Sequence, residues 1–172
     1  MRVATRAKTA SRRARLGARF AGLGLTTAVA LGLAAGPAAA QPGPPSVSGE
    51  QPIEVPGNPD FGDLDFDCDL IVQVDPAREG TFGPVTVSDI TDEDEGAGQT
   101  FDFDVTGDWA VAGVIVKGGP NANLYDYRPN GIGSDENLHA PINPNSGRYY
   151  GLSHIDFCLI EDDYNGNDNR TA

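Results

Sequence analysis

Positive charge is almost missing from this chain beyond residue 40, where five Lys and Arg stand against all 25 Asp and Glu. The other seven of the 12 basic residues lie in residues 1–40, which hold no acid, so the formal −13 of the whole divides into a basic leader and a segment of −20. A surface so negative repels phosphate backbones and anionic lipid heads, which excludes nucleic acid and membrane surfaces as partners of that segment. Cysteine is nearly absent as well. Cys68 and Cys158 are the only two, too few for a thiolate metal cluster and too far apart for a Cys-x-x-Cys redox pair. His139 and His154 are the only histidines, and zinc needs at least three protein ligands. Gly-x-Ser-x-Gly, His-Glu-x-x-His and phosphate-binding loops do not occur. Gly118-Gly119 has no Lys-Ser/Thr after it and no helix to open, so it reads as a turn. After Ala40 no window of ten residues carries a helical apolar stripe.

What is present begins with an address. Arg2, Arg6, Lys8, Arg12, Arg13, Arg15 and Arg19 precede an apolar stretch from Ala21 to Ala35, and Gly36-Pro37-Ala38-Ala39-Ala40 follows. Basic end, apolar middle of about 15 residues and small residues at a cleavage point are the order of a secretory signal. It is too short and too rich in glycine to span a bilayer, which takes about 20 apolar residues. Cleavage is expected after Ala40, giving a secreted, extracellular chain with no membrane insertion. Ser11-Arg12-Arg13 invites a twin-arginine reading, but Arg15 stands where that signal has a bulky apolar residue, so general secretion is expected. In an oxidising compartment Cys68 and Cys158 make one disulfide. Closing a loop of about 90 residues restricts the unfolded chain by about 4–5 kcal/mol.

Gln41 to Pro59 holds six prolines and few bulky side chains, and reads as an extended linker or arm. Residues 60–162 are expected to form one domain, and 163–172 a loose polar tail. Within the domain the apolar period is two. Asp63 to Val74 alternates so that Leu64, Phe66, Cys68, Leu70, Val72 and Val74 share one strand face and Asp63, Asp65, Asp67 and Asp69 the other. Pro84–Ile90, Thr100–Val105, Asn123–Tyr127 and His154–Ile160 are further strands. Trp109–Val116 is apolar on both sides, which predicts a central strand covered twice. In the last strand Cys158 is out of phase with Ile155 and Phe157, so either a bulge resets the phase or the disulfide sits at a sheet margin. Gly118-Gly119-Pro120-Asn121 and Asn130-Gly131 are turn signals, and the 130s and 140s, with Pro141, Pro144 and Gly147, read as a long loop. Short strands without intervening helices predict an all-β, antiparallel β-sandwich, Ig-like or jelly-roll-like, tied by one disulfide.

Three blocks are familiar: Val114-Ile-Val-Lys117-Gly118-Gly119-Pro-Asn-Ala-Asn-Leu-Tyr-Asp-Tyr127, Leu138-His139-Ala-Pro-Ile-Asn143, and Gly151-Leu-Ser-His154-Ile-Asp-Phe-Cys158. In this order they resemble a recurrent segment of bacterial secreted and cell-surface proteins. The resemblance covers about residues 100–160. It implies a secreted β-sandwich module of the kind found beside prealbumin-like or adhesin repeats, with no enzymatic activity attached. It also implies structural roles for Lys117, Gly118 and Gly119, and a hydrogen bond through His139 and His154 that joins the long loop to the last strand.

The remaining chemistry is sparse. Eighteen of the acids are Asp, whose short arm suits oxygen cages for Ca²⁺. A speculative site combines Asp63, Asp65, Asp67 and Asp69, about 7 Å apart on one strand face, with Asp102 and Asp104 of a neighbour. One straight strand gives a row rather than a cage, so the solvated face is the preferred reading and no cofactor is expected. Asp163 to Asn169 imitates a calcium loop, but Asp168 replaces the required Gly and the twelfth-position Glu is missing. Asp92 to Glu95 reads as a solvated loop. Tyr149 and Tyr150 are the candidate ligand-binding pair, with Trp109, Tyr125, Tyr127 and Tyr164 as further rings for a sugar face. Asn169-Arg-Thr171 matches a glycosylation triplet. Ser153 and His154, adjacent on a strand, point to opposite faces and form no dyad. The expected function is therefore a secreted, non-catalytic structural or interaction module for an extracellular protein or glycan, with no catalytic residues. A Ca²⁺-dependent or carbohydrate-binding module is the alternative, and a glycoside-acting enzyme with two facing carboxylates is a more distant one.

Overall fold

The computed structural model describes residues 43–91 and 96–161. The expected export signal and cleavage point, the acidic run at 92–95, and the tail at 163–172 with Tyr164, the calcium-like run and the Asn169 triplet lie outside them.

Alternation produces strands almost throughout. β1 (Ile53–Pro56), β2 (Leu70–Val74), β3 (Gly80–Phe82), β4 (Val85–Ser88), β5 (Thr100–Val105), β6 (Trp109–Gly118), β7 (Asn121–Asp126), β8 (Ser134–His139) and β9 (His154–Glu161) form two antiparallel sheets. One has the order β1-β7-β6-β9-β2 and the other β3-β4-β5-β8. Together they make the expected antiparallel sandwich with a single disulfide.

Between the sheets Phe101 and Phe103 of β5 meet Phe157 of β9 edge-on, with Val85, Val87, Val111, Val114, Ile155 and Leu159 buried around them. Fully burying such side chains contributes about 1.5–3 kcal/mol each. The central strand β6 also has the second apolar face that its composition requires. Ala112, Ile115, Ala122, Leu124 and Cys158 lie on the outer side of the five-stranded sheet under Phe61 and Phe66. A bulge between Val111 and Gly113 shifts the β6 register. It places Ala112 and Gly113 together on the outer side and returns Val114 and Val116 to the inner core.

This cover corrects two expectations. Asp63–Asp69 is not strand. Gly62–Leu64 is a 3-10 turn, Asp65 has φ 54°, and β2 starts only at Leu70. The alternation of burial survives because Phe66 and Cys68 point down onto the sheet while the four aspartates point to solvent. Cys158 sits neither in a bulge of its own strand nor at a margin. It faces outward from β9, fully buried, and its bond to Cys68 pins the cover over β6. Arg128 clamps the same cover, with its guanidinium 3.7 Å from the Phe66 ring centre, 3.0 Å from the Asp65 carbonyl and 2.6 Å from the Asp126 carboxylate.

The Pro-rich segment is likewise no free arm where it is described. Ile53–Pro56 adds to the sheet edge beside β7, and Ser46 and Pro52 are buried. The expected long loop of the 130s holds β8, whose sequence Ser-Asp-Glu-Asn-Leu-His has no apolar alternation to announce it.

Candidate functional site

The three sequence blocks converge on one end of the sandwich. At the β6–β7 turn Gly119 has φ +64°, and the ring of Tyr150 lies flat on it, so that a Cβ there would stand 2.7 Å from three ring carbons. A Cβ on Gly118 would stand 2.5 Å from the Ala140 methyl and 2.8 Å from the Gly151 carbonyl oxygen. Both glycines exist because the second and third blocks press against the first. Lys117 donates through Nζ to the carbonyls of Gly119 and Asn121 at 3.0 and 3.1 Å, and its own carbonyl accepts from Ser153 N–H at 2.8 Å. Burial lowers its ammonium pKa. The cation is thus held inside its own hairpin.

β7 and the residue after it direct Asn123, Tyr125 and Tyr127 toward β8. Asn123 Nδ2 donates to the His139 carbonyl at 3.0 Å, and Tyr125 Oη accepts from His139 N–H at 3.0 Å. Burial raises the Tyr125 pKa well above its ordinary value. The imidazole of His139 stacks on Tyr149, 3.9 Å between ring centres and 6° from parallel, and Gly43 packs against the same ring. Its Nδ1 lies 2.9 Å from the Ala140 carbonyl and its Nε2 3.1 Å from the Pro44 carbonyl. Burial lowers the His139 pKa, against the pull of those two carbonyls.

A second anchor lies further along β8. Asp135, 4% exposed, accepts from Ser48 N–H (2.8 Å), Ser48 Oγ (2.7 Å), Tyr127 Oη (2.7 Å) and Glu136 N–H (2.8 Å). Burial pushes its carboxyl up, but the hydrogen bonds from Ser46, Tyr127 and Ser48 outweigh this and hold it below the usual carboxylate range. The phenol of Tyr127 is correspondingly raised, by burial and then by the carboxylate it faces. His139 and Asp135 therefore bind the 43–51 segment at two points. Sequence reasoning missed Asp135, Ser48 and Pro44, since hydrogen-bond partners about 90 residues apart leave no local pattern.

The other expected residues do not gather. Asp63, Asp65, Asp67 and Asp69 belong to the cover of the five-stranded sheet, whereas Asp102 and Asp104 lie on β5 of the other sheet, pointing away from the buried Phe101 and Phe103. Asp102 accepts from Asn137 N–H at 2.8 Å. The speculative calcium set is thereby divided between opposite outer faces, and among the described residues no group of three or more His, Cys, Asp or Glu is placed to hold a metal ion. Nor do the histidines share a hydrogen bond across loop and last strand. His139 holds the N-terminal segment, while His154 Nε2 lies 3.9 Å from Asp156 Oδ2 on β9. Tyr149 and Tyr150 are half-buried and committed to His139 and the Gly118–Gly119 turn.

No protein-family model, curated protein or solved structure matches this chain. Among the described residues, no helix is long and apolar enough to cross a membrane.

Proposed function

We propose that this chain is an exported, non-catalytic β-sandwich module with an extracellular structural or interaction role. The observation that carries this reading is the engagement of its most reactive-looking side chains. His139, Asp135 and Lys117 bind the main chain of neighbouring segments or of their own hairpin, an arrangement that fastens loops together and leaves these groups with structural work. The three resemblance blocks are explained in the same way, because each supplies one side of a packed corner. Between a protein and a glycan as partner, the placement of Tyr149 and Tyr150 favours a protein, since their rings are engaged within the corner. The test is a turnover panel of glycosides, esters and peptides with the purified 41–172 chain. No turnover is expected. An activity that co-purifies with the protein and disappears in His139→Gln overturns the reading. Expression with the leader, followed by mass spectrometry of the medium, checks export: the expected product begins at Gln41.

A further inference from the structure

Each sheet has two edges, and the four edge strands are not alike. β1 carries Glu54 and ends on Pro56, β3 has three residues, and β8 carries Asp135 and Glu136 and meets β5 with a register shift. Proline, charge, shortness and irregularity are the features that stop a free edge from recruiting another strand. β2 has none of them. It reads Leu-Ile-Val-Gln-Val, pairs with β9 in unbroken register from Leu70 to Val74, and is the terminal strand of its sheet among the described residues. Ile71, on its outer side, is 55% exposed, one of three large apolar side chains left so open.

Charge selects the occupant. Asp67 and Asp69 precede β2, Asp75 follows it, and all three are exposed. Asp156, directly opposite Gln73 in the sheet, is 7% exposed with Oδ1 lacking a hydrogen bond; Gln73 and His154 favour its carboxylate, and the like charges of Asp75 and Asp60 oppose it. Carboxylates therefore stand at both ends of an uncharged edge. Arg78, the nearest cation in sequence, is turned to the carbonyls of Asp75 and Pro76 instead of to a carboxylate. A second copy pairing antiparallel through β2 in full overlap would set Asp69 against Asp75 twice, and like charges opposite one another destabilise a pair. A strand with basic ends meets the same edge with opposite charge at each end.

We propose that β2 is a strand-addition site for an extended segment of a partner protein, four or five residues of alternating apolar character flanked on both sides by Lys or Arg. Main-chain hydrogen bonds supply affinity in such pairing, and the flanking charges select partner and register. This deepens the interaction-module reading and rests on it.

The probe is a fluorescein-labelled peptide, Lys-Lys-Thr-Val-Thr-Val-Thr-Lys-Lys, titrated by anisotropy against the 41–172 chain, with amide chemical shifts and hydrogen exchange read on isotope-labelled protein. Binding that saturates below about 1 mM is expected, with shifts and new protection centred on Leu70–Val74. A Glu-flanked peptide is expected to bind at least tenfold more weakly. So is a Lys-flanked peptide with proline at its centre, which keeps the charge and cannot pair. Ile71→Lys and the double change Asp67→Lys, Asp75→Lys, each with a cooperative melt at or above the wild-type temperature, are expected to weaken binding by at least tenfold. Perturbations that map away from β2, equal binding of the proline peptide, or no binding by the wild-type chain overturn the proposal, as does a concentration-dependent dimer that protects the β2 amides. None of these results creates turnover, so the non-catalytic reading stands or falls on its own panel.

Discussion

His139 sits between two carbonyl oxygens, a place that suits an imidazolium, and inside a packed corner, a place that does not. Burial is the larger influence and its pKa falls below the ordinary 6.5. The sign follows by linkage: between the folded value and the unfolded one the unfolded chain binds more protons, so stability rises with pH through that window and declines as pH drops below about 6.5. A His139→Gln chain should melt at lower temperature at pH 7.5 and show a flatter dependence of Tm on pH between 7.5 and 5. An equally steep dependence in the variant would refute the assignment. Asp135 has the opposite character, a buried carboxylate kept charged by four donors. Asp135→Asn substitutes donors where those donors point, and should cost about 2–3 kcal/mol in urea unfolding at pH 7, where hydrogen bonds to charged groups contribute most. That cost should shrink as pH falls below the unfolded-chain value of 3.8 and through the lower folded one, where the wild-type carboxyl is itself protonated. Neither residue's role was legible from sequence. His139 lay in a recognisable block, but its partner is Pro44, and the chain path that brings residue 44 to residue 139 is a product of the whole fold.

At the scale of elements, alternation was a reliable guide wherever the strand has one wet face, and a misleading one where a loop imitates it. Thr100–Val105 reads as a strand and is one, because Phe101 and Phe103 have a core to enter. Trp109–Val116 reads as doubly covered and, within β6, has apolar packing on both faces. Asp63–Asp69 alternates equally well, yet its apolar residues fall onto the sheet from a turn, so the aspartates fan outward, and among the described residues no three acids are placed to hold a cation. β8 was invisible because Asp135 and His139 occupy positions where a strand usually shows apolar side chains, and polar partners satisfy them. The cover over β6 has a direct test. Cys68→Ser frees the loop of 90 residues and should cost about 2–5 kcal/mol in unfolding free energy. If the cover is as described, it should also make the Ile115 and Leu124 amides exchange faster while Phe103 on the other sheet keeps its protection. Uniform acceleration across both sheets would mean that the disulfide serves the whole sandwich and not the cover.

For the whole molecule, the −20 of the segment after Ala40 acts on stability as well as on partners. Arg128 and Asp126 form a close pair, but five basic side chains cannot offset 25 acidic ones, so most of the negative charge meets other negative charge. Self-repulsion of that kind opposes the compact state, and salt screens it, with a Debye length falling from about 30 Å at 0.01 M to about 3 Å at 1 M. The melting temperature should therefore rise by several degrees, about 4–8 °C per kcal/mol for a domain of this size, as NaCl goes from 10 mM to 0.5 M at pH 7.5. Diffuse screening is blind to the identity of a cation. A site with a defined shell of oxygens is not, since Ca²⁺ accepts six to eight ligands in flexible geometry where Mg²⁺ demands an octahedron. With the aspartates divided between opposite faces, additions of about 2 mM CaCl₂ and MgCl₂ should shift Tm equally at matched ionic strength. A shift with calcium that exceeds the magnesium one by more than about 2 °C would mean that acids of this chain do assemble around a cation, and the charge would then have to be read as a site before it is read as a surface.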